Sequence, residues 1–153
     1  MQVNYISLGN LPLLLKGGFF VALLLAASII DIRKRVIPDT LCLLIAFTGL
    51  ICFEPGKLLG ILSALPFLLA ALLWGGMGGG DIKLMAASGV VLGITGGIAA
   101  SVIGLTAMLL FCIIYFTIQR LRGRECSKAF PLAPFLSIGC TAVYFILTGG
   151  ITL

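Results

Sequence analysis

The sequence predicts an all-α fold, a polytopic membrane bundle of about six transmembrane helices with its amino terminus outside. Three observations carry that expectation. The chain is 61% hydrophobic and 10% charged, with a mean hydropathy of +1.26, against about 45–50% and about 25% in ordinary soluble domains. Its apolar residues fall in runs long enough to cross a bilayer, separated by glycine, proline or charge. Its basic residues gather at the ends of those runs. No water-soluble core of 153 residues can hide so much apolar surface, and the length leaves room for a single domain over residues 1–153.

The candidate spans are roughly 11–31, 38–53, 57–74, 82–94, 97–119 and 131–150. The first contains Lys16 followed by GGFFVALLLAAS, which resembles a signal peptide. Asp31 and the cluster Arg33, Lys34, Arg35 follow at once, and a translocated mature terminus rarely carries three bases there. It is therefore read as a retained span. Pro38 suits the first turn of the second helix, where its missing N–H costs nothing, and Asp39 complements the positive helix end. Pro55-Gly56 marks the turn into the third span.

The stretch from Ile82 to Ile118 is the ambiguous part. As one helix it would run 37 residues, about 55 Å at ~1.5 Å per residue, against a hydrocarbon core of about 30 Å. Thr95-Gly96-Gly97 is the expected break. With it, Arg33, Lys34, Arg35, Lys83, Arg120, Arg122, Arg124 and Lys128 all face the cytoplasm, and only Lys16 and Lys57 lie outside. Without it the 120–128 cluster would flip outward. Cys126 is accordingly expected on the cytoplasmic side. Gly89, Gly93, Gly97 and Ser101 recur every four residues, a pattern of small side chains that lets helices approach closely.

Composition also excludes functions. The net charge of +5 is a membrane-edge signal and not a nucleic-acid surface, because each basic cluster abuts an apolar run. Five cysteines form no Cys-x-x-Cys pair and there is no histidine, so no zinc-ligand set is written in the chain. Ser-His and Cys-His catalysis are excluded. Chemistry must come from Asp, Glu, Lys, Ser or Tyr.

Two of the five acidic residues stand out. Asp31 opens DIRKRVIPD at the cytoplasmic end of the first span, and Asp81 closes GGGD at the cytoplasmic end of the fourth. A carboxylate in hydrocarbon costs at least ~2.5–3.5 kcal/mol on insertion scales. Two of them at one face form the minimum of a dyad that shares a proton, since like charges at ~3 Å cannot both ionise. The ionised carboxyl takes a proton from water, and the neutral one hydrogen-bonds a scissile carbonyl as negative charge develops. That scheme needs no metal and no cofactor.

Gly78, Gly79 and Gly80 offer a backbone free to take φ > 0 and free of Cβ bulk beside Asp81. Lys83 is expected to help keep one carboxyl ionised, and Arg33–Arg35 to act first as a topology determinant. Each feature alone has a plainer reading: a helix cap, a turn, an interfacial charge. A non-catalytic transporter or assembly scaffold is the rival from another class. It accounts for buried acids, but not for both lying at one face beside glycines and Pro-Asp.

DIRKRVIPD, MGGGDIKL (77–84) and PLAPFLSIG (131–139), in that order, resemble the prepilin (type IV leader) peptidases, GxGD-type intramembrane aspartic proteases. The resemblance covers about residues 20–150. It implies that Asp31 and Asp81 are the catalytic pair, with Gly78, Gly80, Lys83, Pro38 and Asp39 as supporting residues; Asp39 also fits the motif, but because Pro38 starts a new helix before it, Asp39 is expected to be a structural cap and not a third catalyst. It implies cleavage of the basic leader of a prepilin-like or pseudopilin precursor at the cytoplasmic face of the cell (inner) membrane, without nucleic acid as a partner. The larger bifunctional members add an amino-terminal loop with paired Cys-x-x-Cys motifs and N-methylate the new terminus. Here the first aspartate arrives at residue 31 without such a loop, so the chain is most similar to the short peptidases of tight-adherence pilus systems, with peptidase activity alone expected.

Overall fold

The computed structural model describes residues 11–51, 54–74, 78–122 and 130–149. They form helices and no strand. Helix α1 spans Leu11–Lys34 and α2 spans Asp39–Leu50. A 3-10 segment, Pro55–Ala64, runs directly into α3, Leu65–Trp74. The long α4 spans Gly79–Leu121 and α5 spans Ala133–Thr148. The change from 3-10 to α geometry falls next to Pro66, whose ring nitrogen cannot donate to the preceding turn.

Helix α4 is not straight. Gly93 has φ 78° and ψ 174°, a region open essentially to glycine alone. In a straight helix residues 89 and 97 would stand about 12 Å apart, yet a Cβ built on Gly97 would lie 3.4 Å from the Gly89 Cα. The chain therefore doubles back, giving antiparallel arms at 79–92 and 94–121. The expected break was right in kind and wrong in place. Gly96 and Gly97 stay helical because their missing side chains are used for packing: Gly96 faces Val143 and Leu147, and Gly97 faces Ser63.

Small residues set the rest of the assembly. Gly60 of the 3-10 segment lies against the Gly89 carbonyl, and Ser63 Oγ donates to the Met85 carbonyl at 3.4 Å. Gly139 of α5 meets Ala100, and Gly104 meets Phe135 and Leu136, so α5 runs antiparallel to the second arm of α4. Of the repeated small residues, Gly89 and Gly97 thus serve close packing, Gly93 makes the reversal, and Ser101 donates back to the Gly97 carbonyl. The enclosed core includes Phe20, Leu24, Ile45, Leu84, Met85 and Leu136. Phe19, Leu72, Leu73, Ile114 and Phe145 point outward.

Leu15–Lys34, Pro55–Leu73 and Gly79–Leu121 are each long and apolar enough to cross a membrane, while Asp39–Leu50 and Ala133–Thr148 are shorter apolar helices. An apolar exterior around a tightly packed interior is the arrangement lipid favours.

Candidate active site

Four chain segments converge at one end of the bundle. Helix α1 brings Asp31 there in its last turn. Helix α2 begins there at Asp39, α4 at Gly79 and α5 at Ala133. The end of α1, the α1–α2 connection and the starts of α2 and α4 enclose a cavity of about 370 Å³ whose walls include Asp31, Arg35, Asp39, Gly78, Asp81 and Lys83. Gly80 also lines it. The two aspartates, 50 positions apart in sequence, share one cavity.

Their surroundings differ. Asp31 is buried, and its Oδ2 accepts a 3.1 Å hydrogen bond from the Ala133 N–H, at the start of α5. One turn further along the same seam, Ser28 Oγ lies 2.8 Å from Ser137 Oγ and donates to the Leu24 carbonyl at 2.9 Å. These contacts hold the Asp31 turn of α1 against α5. Asp81 sits in the first turn of α4. Its Oδ1 is buried and has no hydrogen-bond partner among the described residues, an arrangement that normally asks for a water or a ligand.

Gly78 and Gly80, before Asp81, matter through their missing side chains and not through unusual torsions. Gly78 has φ −67°, and Gly93 is the one glycine with positive φ among the described residues. A Cβ on Gly80 would come within 3.1 Å of the Ile37 Cβ, and one on Gly78 within 3.4 Å of Asp81 Oδ2. Gly80 thus lets the α1–α2 connection approach the start of α4 beside Asp81, while a Cβ on Gly79 would meet nothing within 4 Å. That connection turns at Arg35, which takes φ 53° while its N–H caps α1 on the Asp31 carbonyl at 2.8 Å. Of the three consecutive bases, Arg35 is the one that lines the cavity.

Two expectations about supporting residues are corrected. Pro38 is the residue before α2, with φ −68° and ψ 137°, and not part of its first turn. It does not line the cavity. Asp39 follows as the acidic residue of the first turn, at the positive helix end as expected, but its side chain is engaged elsewhere. Both its carboxylate oxygens accept from Lys83 Nζ, at 2.7 and 2.8 Å. Lys83 therefore ties α4 to the start of α2, with Asp39 and not Asp31 or Asp81 as its ion-pair partner. The pair is solvent-exposed, so its worth is about 0.2–1 kcal/mol. Lys83→Gln is expected to lower unfolding stability by no more than that, and the exchanged pair Asp39→Lys with Lys83→Asp to restore it. A loss of several kcal/mol in thermal unfolding would show a larger role.

The sequence reading did not find the Ala133 amide or the Ser28–Ser137 pair. The available signal was Pro134 in the first turn of α5, which marks a helix start but not what its free N–H groups face. Among the described residues no three Cys, Asp or Glu gather as a metal-ligand set.

A family model described as the type IV leader peptidase family matches residues 18–118, a stretch that contains Asp31 and Asp81. The chain belongs to the type IV leader peptidase family. A protein described as a prepilin leader peptidase/N-methyltransferase, from Xanthomonas campestris pv. campestris, is 30% identical over 137 residues, covering 80% of this chain and 46% of that protein. The chain thus spans about half the length of the curated relative it matches. No solved structure matches it. Within the leader peptidase family match, the cavity is the place where acidic side chains from separate helices meet.

Proposed function

We propose that this chain is a membrane-embedded aspartic endopeptidase that removes the basic leader of prepilin-like precursors at the cytoplasmic membrane face. The observation that carries the reading is the pairing of Asp31 and Asp81 on the walls of one cavity, in a chain of this family. In this mechanism the ionised carboxyl takes a proton from a water, whose oxygen attacks the scissile carbonyl carbon. The protonated carboxyl donates a hydrogen bond to the developing oxyanion. The C–N bond then breaks, and the proton gathered from water passes to the leaving amine. Each carboxyl needs a fixed position for this. The Ala133 N–H supports that role for Asp31, and the close approach of Ile37 to Gly80 supports it for Asp81.

The test is cleavage of a pilin-like precursor with a basic leader by the full chain reconstituted in lipid. A shortened product with an unmethylated new amino terminus is expected. No cleavage across several precursor types would shift the reading to a transporter or scaffold, and proton flux would then be the quantity to measure.

The same reading puts the aspartate end of the bundle in the cytoplasm, with six crossings and the amino terminus outside. Its support is the reversal at Gly93, which carries Arg120 and Arg122 back toward the end that holds Arg33, Lys34, Arg35 and Lys83. Cys126 lies outside the described residues, but its sequence position follows that basic stretch. A membrane-impermeant thiol reagent is expected to label Cys126 only when membranes are opened, with Cys42, Cys52, Cys112 and Cys140 replaced by serine or alanine. Labelling from the outer side of intact cells would overturn the six-span arrangement.

A further inference from the structure

The rim of the aspartate cavity already holds an ammonium group. Lys83 Nζ donates to both carboxylate oxygens of Asp39, at 2.7 and 2.8 Å, between the starts of α4 and α2. Both residues line the cavity that holds Asp31 and Asp81. Neither is buried: the Asp39 side chain is 74% exposed and that of Lys83 55%. A solvent-exposed pair of this kind shifts an equilibrium by about fivefold at most. An incoming cation can therefore take the place of Lys83 at small cost.

Asp39 is also the acid left over. Of the five acidic residues, Asp31 is buried and Asp81 half-buried in the cavity wall. Glu54 pairs with Lys57, which packs beside the Gly93 reversal, and Glu125 lies outside the described residues. Asp39 is thus the exposed carboxylate on the described wall of the cavity. The neighbouring charges are positive. Arg33 and Lys34 at the end of α1 are exposed, as is Arg35, which lines the same cavity. A cationic segment is repelled along that side, so Asp39 fixes where a cation can enter.

We infer that Asp39 determines specificity: it seats a lysine or arginine side chain of the precursor's leader, and Lys83 holds that place in the unbound chain. The inference rests on the peptidase reading for the identity of the cationic partner. The backbone suits such an exchange. Pro38 holds the residue before α2 at φ −68°, and the close approach of Ile37 to Gly80 fixes the start of α2 against α4. Asp39 stands in the first turn of α2, where the helix end favours negative charge with or without Lys83. Lys83 stands near the positive end of α4, and its long stem can carry the displaced ammonium into water.

The experiment uses the full chain in lipid nanodiscs and a precursor with lysines in its leader. The same precursor with glutamine or glutamate at those positions is run beside it. Binding is measured in the Asp81→Asn background, and KM and kcat without that change. Asp39→Asn is expected to weaken binding of the lysine leader about fivefold, the loss falling on KM and not on kcat, and to leave lysine and glutamine leaders alike. Lys83→Gln is expected to act in the opposite direction, tightening the lysine leader by up to about fivefold, because it removes the competing ammonium. Asp39→Lys is expected to favour the glutamate leader. A pair that only ties two helices together moves Asp39→Asn and Lys83→Gln the same way, and that result would overturn the inference. So would an Asp39→Asn chain that still prefers lysine over glutamine by the wild-type margin. These binding shifts without cleavage by the wild-type chain would keep the cation site and overturn the peptidase reading. Cleavage of lysine and glutamine leaders at equal KM would do the reverse.

Discussion

Asp81→Asn is expected to lower precursor cleavage by about 10²–10⁴-fold, the usual worth of a general acid–base group, with the protein still inserted in the membrane. Asn keeps the shape and removes the exchangeable carboxyl proton. Asp31→Asn is expected to do the same. Its amide oxygen can still accept from the Ala133 N–H that Asp31 holds now, so the α1–α5 seam survives the change. The double variant should be little worse than either single one, because residues acting as one unit are strongly non-additive. The measurement is turnover of one precursor by equal amounts of the four proteins, with thermal unfolding recorded beside it. Near-normal turnover in either Asn variant would remove that residue from the proposed pair. Loss of turnover together with lost membrane protein would point to folding and not to chemistry.

Gly93→Ala is the second large effect, and it falls on stability. At φ 78° and ψ 174° a side chain costs about 1–3 kcal/mol, and relief by straightening would pull the arms of α4 apart. Gly60, Ser63 and Gly97 all depend on that closeness. Gly18→Ala is the matched control: Gly18 lies within α1 and a Cβ there meets nothing within 4 Å, so the change should be neutral or stabilising by up to about 1 kcal/mol. Thermal unfolding in detergent separates the two. A Gly93→Ala protein as stable as Gly18→Ala would mean that the reversal does not need this backbone conformation.

The helices themselves were legible because lipid leaves the backbone few alternatives. Apolar runs bounded by Pro38, Pro55-Gly56 and the basic clusters marked elements within a few residues of their observed bounds. The need for a break inside α4 was legible too, since the 37 residues from Ile82 to Ile118 would outrun a hydrocarbon core of about 30 Å. Its position was not. Gly93, Gly96 and Gly97 are equivalent as letters, and which one turns depends on what the others must pack against. The same limit applies to Asp39 and Lys83. Each had a sensible local partner, a helix end and a catalytic carboxyl, and each found the other across two helices instead.

What the sequence determined by itself is the membrane-helical class and a side-chain inventory without histidine, in which Asp31 and Asp81 stand out as candidates, because hydropathy, charge placement and composition are properties of the chain alone. What only the tertiary structure decided is that Asp31 and Asp81 line one cavity, that an α5 amide holds Asp31, and that Asp39 and Lys83 pair at the rim of that cavity. Those are distances between helices. They are set by which small residues let which backbones touch, and no single segment carries that information.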